Sequence, residues 1–167
     1  MVEMKNDIII RNAEKEDVQQ IAEILVEDWQ KAYRGIMDDA FLDSMNVSQR
    51  CEIEGKRYQR YVVATDGNEI LGYAWLETAA DEPADCEVVA LYIRYAKRNH
   101  GIGKLLMRYA VHHFREIGKK TMIVWCLKEN VESRKFYEKV GGKKFRTGTH
   151  HWGGKEYEMI SYLYDLA

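Results

Sequence analysis

The chain is poor in the residues that mark several kinds of protein. Its three cysteines, Cys51, Cys86 and Cys126, are odd in number and widely spaced, which argues against a disulfide framework and against a zinc site of two close pairs. They read as free buried thiols. An excess of either charge is missing too, since 25 basic and 27 acidic residues leave a formal net charge of −2. No global field would gather nucleic acid, so an anion site has to be local. No apolar run approaches a bilayer span, and Met1 to Asp7 hold no stretch of signal-peptide type; the expectation is a cytoplasmic protein with no membrane partner. The one proline, Pro83, falls in the acidic segment Ala79 to Asp85, which reads as an exposed loop. Without repeats, low-complexity stretches or linkers, the 167 residues suit a single domain, 1–167, with a real core.

What the sequence does have is a clear hydrophobic pattern. Ile8 to Ile10 with Asn12 predict a first strand, and Glu14 to Tyr33 repeats apolar residues at the spacing of one helix face. Gly35 interrupts this, and Asp38 to Met45 and Val47 to Tyr58 predict two shorter helices with Asn46 as a cap between them. Tyr61 to Thr65 and Glu69 to Thr78 predict a hairpin about Asp66-Gly67-Asn68. A strand from Cys86 to Ile93 follows, then a helix from Ile102 that Gly118 ends, then the apolar strand Thr121 to Leu127, expected to be covered on both faces. Asn130 caps a short helix closed by Gly141-Gly142, and Lys143 to Thr149 with Lys155 to Tyr164 form a last hairpin around Trp152-Gly153-Gly154. The order predicts an α/β domain, a mixed sheet with helices on its faces.

The most specific stretch is Arg98-Asn99-His100-Gly101-Ile102-Gly103-Lys104, between a strand and an amphipathic helix. Glycines let the backbone turn tightly, the first helix amides point outward, and the helix dipole favours negative charge, so the loop suits a phosphate group. A dinucleotide fingerprint would need glycine where Leu106 stands, and a nucleoside-triphosphate loop would need Ser or Thr at Leu105. Both fail. The arrangement resembles the Arg/Gln-x-x-Gly-x-Gly/Ala signature of the GNAT superfamily of N-acetyltransferases. A second stretch, Asn130 to Gly141 with Phe136-Tyr137-Glu138-Lys139, is similar to that family's Asn…Phe-Tyr-Glu-Lys-x-Gly motif. The family often has proline where Tyr95 stands and glycine where Asn99 stands; asparagine tolerates the left-handed conformation.

The resemblance implies a central, mostly antiparallel sheet of about seven strands, helices on both faces, and a splay between the fourth and fifth strands. It implies acetyl-coenzyme A as acetyl donor and no metal. Its pyrophosphate contacts carry over to Arg98, Asn99, Gly101, Ile102, Gly103 and Lys104, largely through main-chain amides. Ile93 would bond pantetheine through its backbone, and an amide near Leu91 or Tyr92 would polarise the thioester carbonyl. Tyr137 would be general acid, with Asn130 and Ser133 as coenzyme contacts and Phe136 as core. Glu87 is the candidate base for a proton from the amine. Trp29, Tyr33 and Arg34 would shape the acceptor groove, flanked on the other side by His150, His151 and Trp152.

Each assignment has a plainer counterpart. Gly101 and Gly103 would only make a tight turn, Glu87 would be a strand-edge glutamate, Tyr137 a packed aromatic, and Trp29 and Tyr33 core. The five histidines read as solvated surface groups, because adjacent residues point different ways. The expected activity is acetyl transfer to a primary amine, of a small molecule or a peptide, by direct attack in a ternary complex. The alternative is a GNAT-fold module that binds coenzyme A without turnover; a nucleic-acid module lacks a basic stripe. An exposed aromatic last strand with Tyr157, Tyr162 and Tyr164 would support a homodimer.

Overall fold

The protein, seen in a computed structural model, is described over residues 7–167. Residues 1–6, on which the signal-peptide expectation largely rests, lie outside the described residues. Strand β1 (Ile9–Asn12) leads through a short 3-10 turn into helix α1 (Val18–Ala32), followed by α2 (Asp39–Ser44) and α3 (Val47–Glu54). Then come β2 (Tyr61–Thr65), β3 (Ile70–Glu77), β4 (Cys86–Ile93), α4 (Ile102–Glu116), β5 (Thr121–Leu127), α5 (Val131–Lys139), β6 (Lys143–Trp152) and β7 (Lys155–Asp165). The seven strands form one sheet in the order β1-β2-β3-β4-β5-β7-β6. All neighbours are antiparallel except β4 and β5.

Alternation along β2 and β3 divides the core between two faces. Tyr61, Val63 and Tyr73 pack with Ile21, Ile24, Leu25 and Trp29 of α1 and Leu42 of α2. Val62, Ala64 and Ala74 pack instead on Ile102 and Leu106 of α4. Farther along the sheet, Met107, Ala110 and Phe114 of α4 join Tyr137 of α5 over Val88, Val124 and Tyr162. Both helix layers therefore meet β4, the strand where the sheet changes character.

Four expectations need correction. Helix α3 stops at Glu54 instead of running to Tyr58, because Gly55 ends it and the fully buried Glu54 carboxylate draws in Arg57 and Tyr61. The last hairpin is longer than expected, closed by Gly153 and Gly154 at φ 58° and 78°, the left-handed pair that a two-residue turn requires. Strand β7 lies between β5 and β6, so Tyr157, Tyr162 and Tyr164 are buried and offer no exposed aromatic strand to a second copy. Finally, of the three thiols only Cys86 is buried; Cys51 and Cys126 are partly exposed.

Candidate active site

Strand β4 pairs with β5 only through Cys86, Glu87 and Val88, opposite Met122, Ile123 and Val124. On its other side β4 stays bonded to β3 as far as Ile93, with one register shift at Trp75/Leu76 that leaves Val89 unmatched. The bulge turns β4 away from β5, and beyond it one edge of β4 carries unpaired main-chain groups. The Arg94 amide bonds the Leu71 carbonyl on the β3 side at 2.8 Å. Successive amides along a strand point opposite ways, so those of Ile93 and Leu91 face the opening and that of Tyr92 does not. Of the two residues considered as carbonyl donors, the geometry favours Leu91.

The opening is a cleft of about 1120 Å³, lined by Leu91, Tyr92 and Ile93, by Arg98, Asn99 and Gly101 to Lys104, and by Ser133, Phe136 and Tyr137. Strand β5, expected to be covered on both faces, lends it the half-exposed Trp125 and Cys126. At one end α4 begins. Asn99 and Gly101 both adopt the left-handed conformation, at φ 63° and 80°. Leu105 makes the first helical bond, to the Gly101 carbonyl at 3.1 Å, leaving the amides of Ile102, Gly103 and Lys104 without helical partners. A Cβ on Gly101 would meet nothing within 4 Å, whereas one on Gly103 would stand 3.1 Å from the Phe136 ring. The two glycines serve different ends: the first allows the turn, the second lets α5 close on α4. Six cationic side chains line the cleft against two carboxylates, Asp28 and Glu132. The chain as a whole is slightly acidic, so this surplus of positive charge is local to the cleft.

Arg98 does not point freely into the cleft. Its guanidinium lies 2.6 Å from Asp28, a buried carboxylate of α1 that the sequence reading passed over. Burial pushes the Asp28 carboxyl up to about 6, against the opposing pull of Arg98. The available signal was a charged residue at the i+3 position from Leu25 on an otherwise apolar helix face. An anion held by this loop therefore meets main-chain donors and Lys104 more than Arg98. Asn130 lines neither this cleft nor the cavity described next; its side chain accepts from the Ser133 amide at 3.2 Å and caps α5.

Tyr137 stands where the opened edge of β4 faces α5, with its ring buried and its carbonyl accepting from the Tyr164 hydroxyl at 2.8 Å. Burial drives its phenol well above the ordinary value, so it stays a proton donor across the neutral range. Cys126 nearby is no ready nucleophile, because burial raises its thiol to about 11.

A second cavity of about 600 Å³ adjoins the cleft on the α1 side of the sheet. Trp29, Val89, Ala90, Tyr92 and Trp152 line both spaces. Trp29 is thus core and wall at once, its ring 5.6 Å from Trp152 in an edge contact. The tip of the β6–β7 hairpin is moored to α2: Lys155 meets Asp38 at 3.0 Å and the Tyr157 hydroxyl accepts from the Asp38 amide at 3.0 Å. His150 meets Trp152 with ring centres 4.0 Å apart and tilted by 42°, and joins the lining, while His151 is exposed and paired with Glu156.

Arg34 and Glu87, like Asn130, lie outside both spaces. Arg34 is exposed and tied to Asp39 and Asp43 at 3.2 and 2.5 Å, leaving Tyr33 alone of that pair on the cleft. Glu87 is half-buried, opposite Glu77 on β3 and Ile123 on β5. Burial, with Asp81 and Glu77 nearby, holds its carboxyl above the usual range. Glu77 accepts from the Trp75 indole at 3.2 Å, and Trp75 lines the second cavity, so Glu87 is one side chain removed from its rim.

The sequence matches the acetyltransferase (GNAT) family over residues 18–142. A Mycobacterium tuberculosis protein named "Probable N-acetyltransferase Rv2775" is 28% identical over 141 residues, spanning 80% of this chain and 79% of that one. Among solved structures, YncA of Salmonella typhimurium, with acetyl-CoA as its cofactor, superposes with a TM-score of 0.71 at 19% identity over 97% of this chain and 95% of that one. The PaiA N-acetyltransferase of Thermoplasma acidophilum, in complex with coenzyme A, gives 0.70 at 20% identity over 94% and 99%.

Proposed function

The chain belongs to the GNAT family of acetyltransferases, and from that premise we propose that it moves an acetyl group from acetyl-coenzyme A to a primary amine, with donor and acceptor bound together. One observation carries the reading: the freed edge of β4 runs from the amide donors at the start of α4 to the hydroxyl-bearing wall at Tyr137. When bound, the coenzyme supplies an acyl group activated as a thioester. The amides of Ile102, Gly103 and Lys104, with the Lys104 ammonium, hold its diphosphate. Ile93 and Leu91 bond the extended arm as an added strand would, and the Leu91 amide faces the acyl oxygen. Ser133 and Phe136 form the opposite wall.

The amine enters from the second cavity past Trp29 and Tyr92. It must be neutral to attack, although a lysine amine titrates near ~10.4 and an α-amine at about 7.7 to 8.0. Glu87 accepts its proton through solvent at the rim beside Trp75. Tyr137 would give a proton to the departing sulfur and recover one, through solvent, from the attacking nitrogen, so one C–N bond replaces one C–S bond, one N–H becomes one S–H and no acyl group rests on the protein. Glu87→Gln should slow transfer about tenfold or more at neutral pH, with the deficit shrinking as pH rises and the ammonium group loses its proton unaided. An unchanged rate and pH profile would remove Glu87 from the reaction. The whole reading is tested by following free thiol while acetyl-coenzyme A and a panel of amines are mixed with the protein. Saturable coenzyme binding with no thiol release from any amine would make it a binding module instead.

A further inference from the structure

The second cavity has a charged wall that the sequence did not advertise. Glu54 of α3 is fully buried, accepts from the Tyr61 hydroxyl, and lies 2.8 Å from Arg57 Nη2 and 3.1 Å from Arg50 Nε. Arg57 is held more firmly: its Nη2 donates to Glu54, its Nε donates to the Tyr61 oxygen at 2.8 Å, and its guanidinium lies 4.5 Å above the Trp75 ring. Arg50 is held less firmly: its buried Nε, although 3.1 Å from Glu54, makes no well-formed hydrogen bond, and its terminal nitrogens have no hydrogen-bond partner among the described residues. Two guanidinium groups against one carboxylate leave a surplus positive charge, and among the described residues no further Asp, Glu, Lys or Arg lines the cavity.

A second observation points the same way. The Tyr73 hydroxyl, on a residue only 1% exposed, has no hydrogen-bond partner among the described residues. A buried hydroxyl left unpaired is costly and calls for a ligand atom. Tyr73 lines this cavity together with Arg50 and Glu54. The remaining walls are mainly aromatic, so the space suits a compact apolar or flat body with one anchored polar group.

We infer that the acceptor carries a carboxylate, seated on the free guanidinium nitrogens of Arg50 with the Tyr73 hydroxyl as a second donor, and presents its amine at the wall shared with the cleft. The acceptor class is an amino acid with an apolar or aromatic side chain. A polyamine would meet the surplus positive charge, and a protein N-terminus or lysine would bring no carboxylate to Arg50. The inference rests on the acetyl-transfer reading above.

The experiment compares L-leucine, L-methionine and L-phenylalanine with their amides and with spermidine, by thiol release at fixed acetyl-coenzyme A. The acids should exceed the amides by about tenfold or more in kcat/KM, the effect of one charge-assisted hydrogen bond. Arg50→Gln should abolish that preference by raising KM for the acids, leaving KM for acetyl-coenzyme A unchanged. Tyr73→Phe keeps the shape and loses no protein partner, so it keeps the test open should Arg50→Gln fail to fold. It should raise KM for the acids several-fold with Tm unmoved. Tryptophan fluorescence quenched by N-acetyl-L-leucine but not by N-acetyl-L-leucinamide would report the same site without turnover. Amides or spermidine used as well as the acids, or acid KM unmoved by both variants, would overturn the carboxylate seat alone. Absence of acetyl-coenzyme A binding and of all thiol release would instead sink the acetyl-transfer reading.

Discussion

The cleft beside β4 and the second cavity share Trp29, Tyr92 and Trp152, yet they are made of different material. The cleft is mostly backbone: a strand edge freed by one bulge, and three helix amides exposed by a left-handed turn. The cavity is mostly side chains, brought from α1, α3, β3 and the last hairpin and fixed by a buried carboxylate. A backbone site grips what every donor shares, while a side-chain site can change its ligand by a few substitutions. If the two are built separately, each should be breakable without the other.

The largest effect should come from the cavity wall. Glu54→Leu leaves Arg50, Arg57 and the Tyr61 hydroxyl without their common acceptor. Removing one partner of a buried pair strands the rest, and because both arginines are partly exposed the loss should be about 3 kcal/mol, a fall in Tm of roughly 6–12 °C. Coenzyme affinity, measured by titration of the protein that remains folded, should not move. A parallel loss of coenzyme binding would mean that the two regions are one unit. Next in size, Tyr137→Phe should lower kcat about a hundredfold while sparing coenzyme affinity, since it removes one hydroxyl and no packing. Equal loss of both would give Tyr137 a structural role and erase the one side chain on which the cleft's chemistry depends.

The same contrast explains what was legible in the sequence. Backbone sites leave short contiguous traces, and Arg98 to Lys104 and Asn130 to Gly141 pointed to elements that do line one cleft. Strand order and the change of hydrophobic period gave the architecture, because each element buries one face. The Arg50–Glu54–Arg57 wall escaped notice because charges at i, i+4 and i+7 on a short helix look like solvated polarity until Tyr61 and Tyr73 close over them. Arg34 misled for the opposite reason, since a basic residue at a helix end reads as available until Asp39 and Asp43 claim it. Tyr157, Tyr162 and Tyr164 looked like an exposed edge because sequence order makes β7 last, while the sheet places β6 outside it.

Asp28 qualifies the contrast, being a cleft side chain that titrates. Its folded value near 6 lies above the ordinary carboxyl value of about 3.9. The folded chain therefore binds this proton more tightly than the unfolded chain, and the stabilisation is complete below about pH 4 and lost as pH rises through about 6. Relative to Asp28→Asn, the wild-type protein should lose about 3 kcal/mol across that window and nothing further above it. Urea unfolding at several pH values measures the difference. A difference that does not change with pH would mean that Arg98 holds Asp28 ionised throughout.

The finest test separates the two glycines of the backbone site. Gly103→Ala sets a Cβ 3.1 and 3.3 Å from two carbons of the Phe136 ring, so the ring must yield and α5 with it, at a cost of about 1 kcal/mol. Gly101→Ala meets no atom within 4 Å but must hold φ near 80°, which costs an L-residue about as much. Asparagine distinguishes the causes, because it tolerates the left-handed conformation but is larger than alanine. Gly101→Asn should recover much of the stability and coenzyme affinity that Gly101→Ala loses, whereas Gly103→Asn should be worse than Gly103→Ala. Chemical unfolding and coenzyme titration of the four variants read both quantities. If asparagine rescued position 103 as well, the approach of Phe136 would not be what requires glycine there, and the cleft would owe less to the packing of α5 on α4 than its geometry implies.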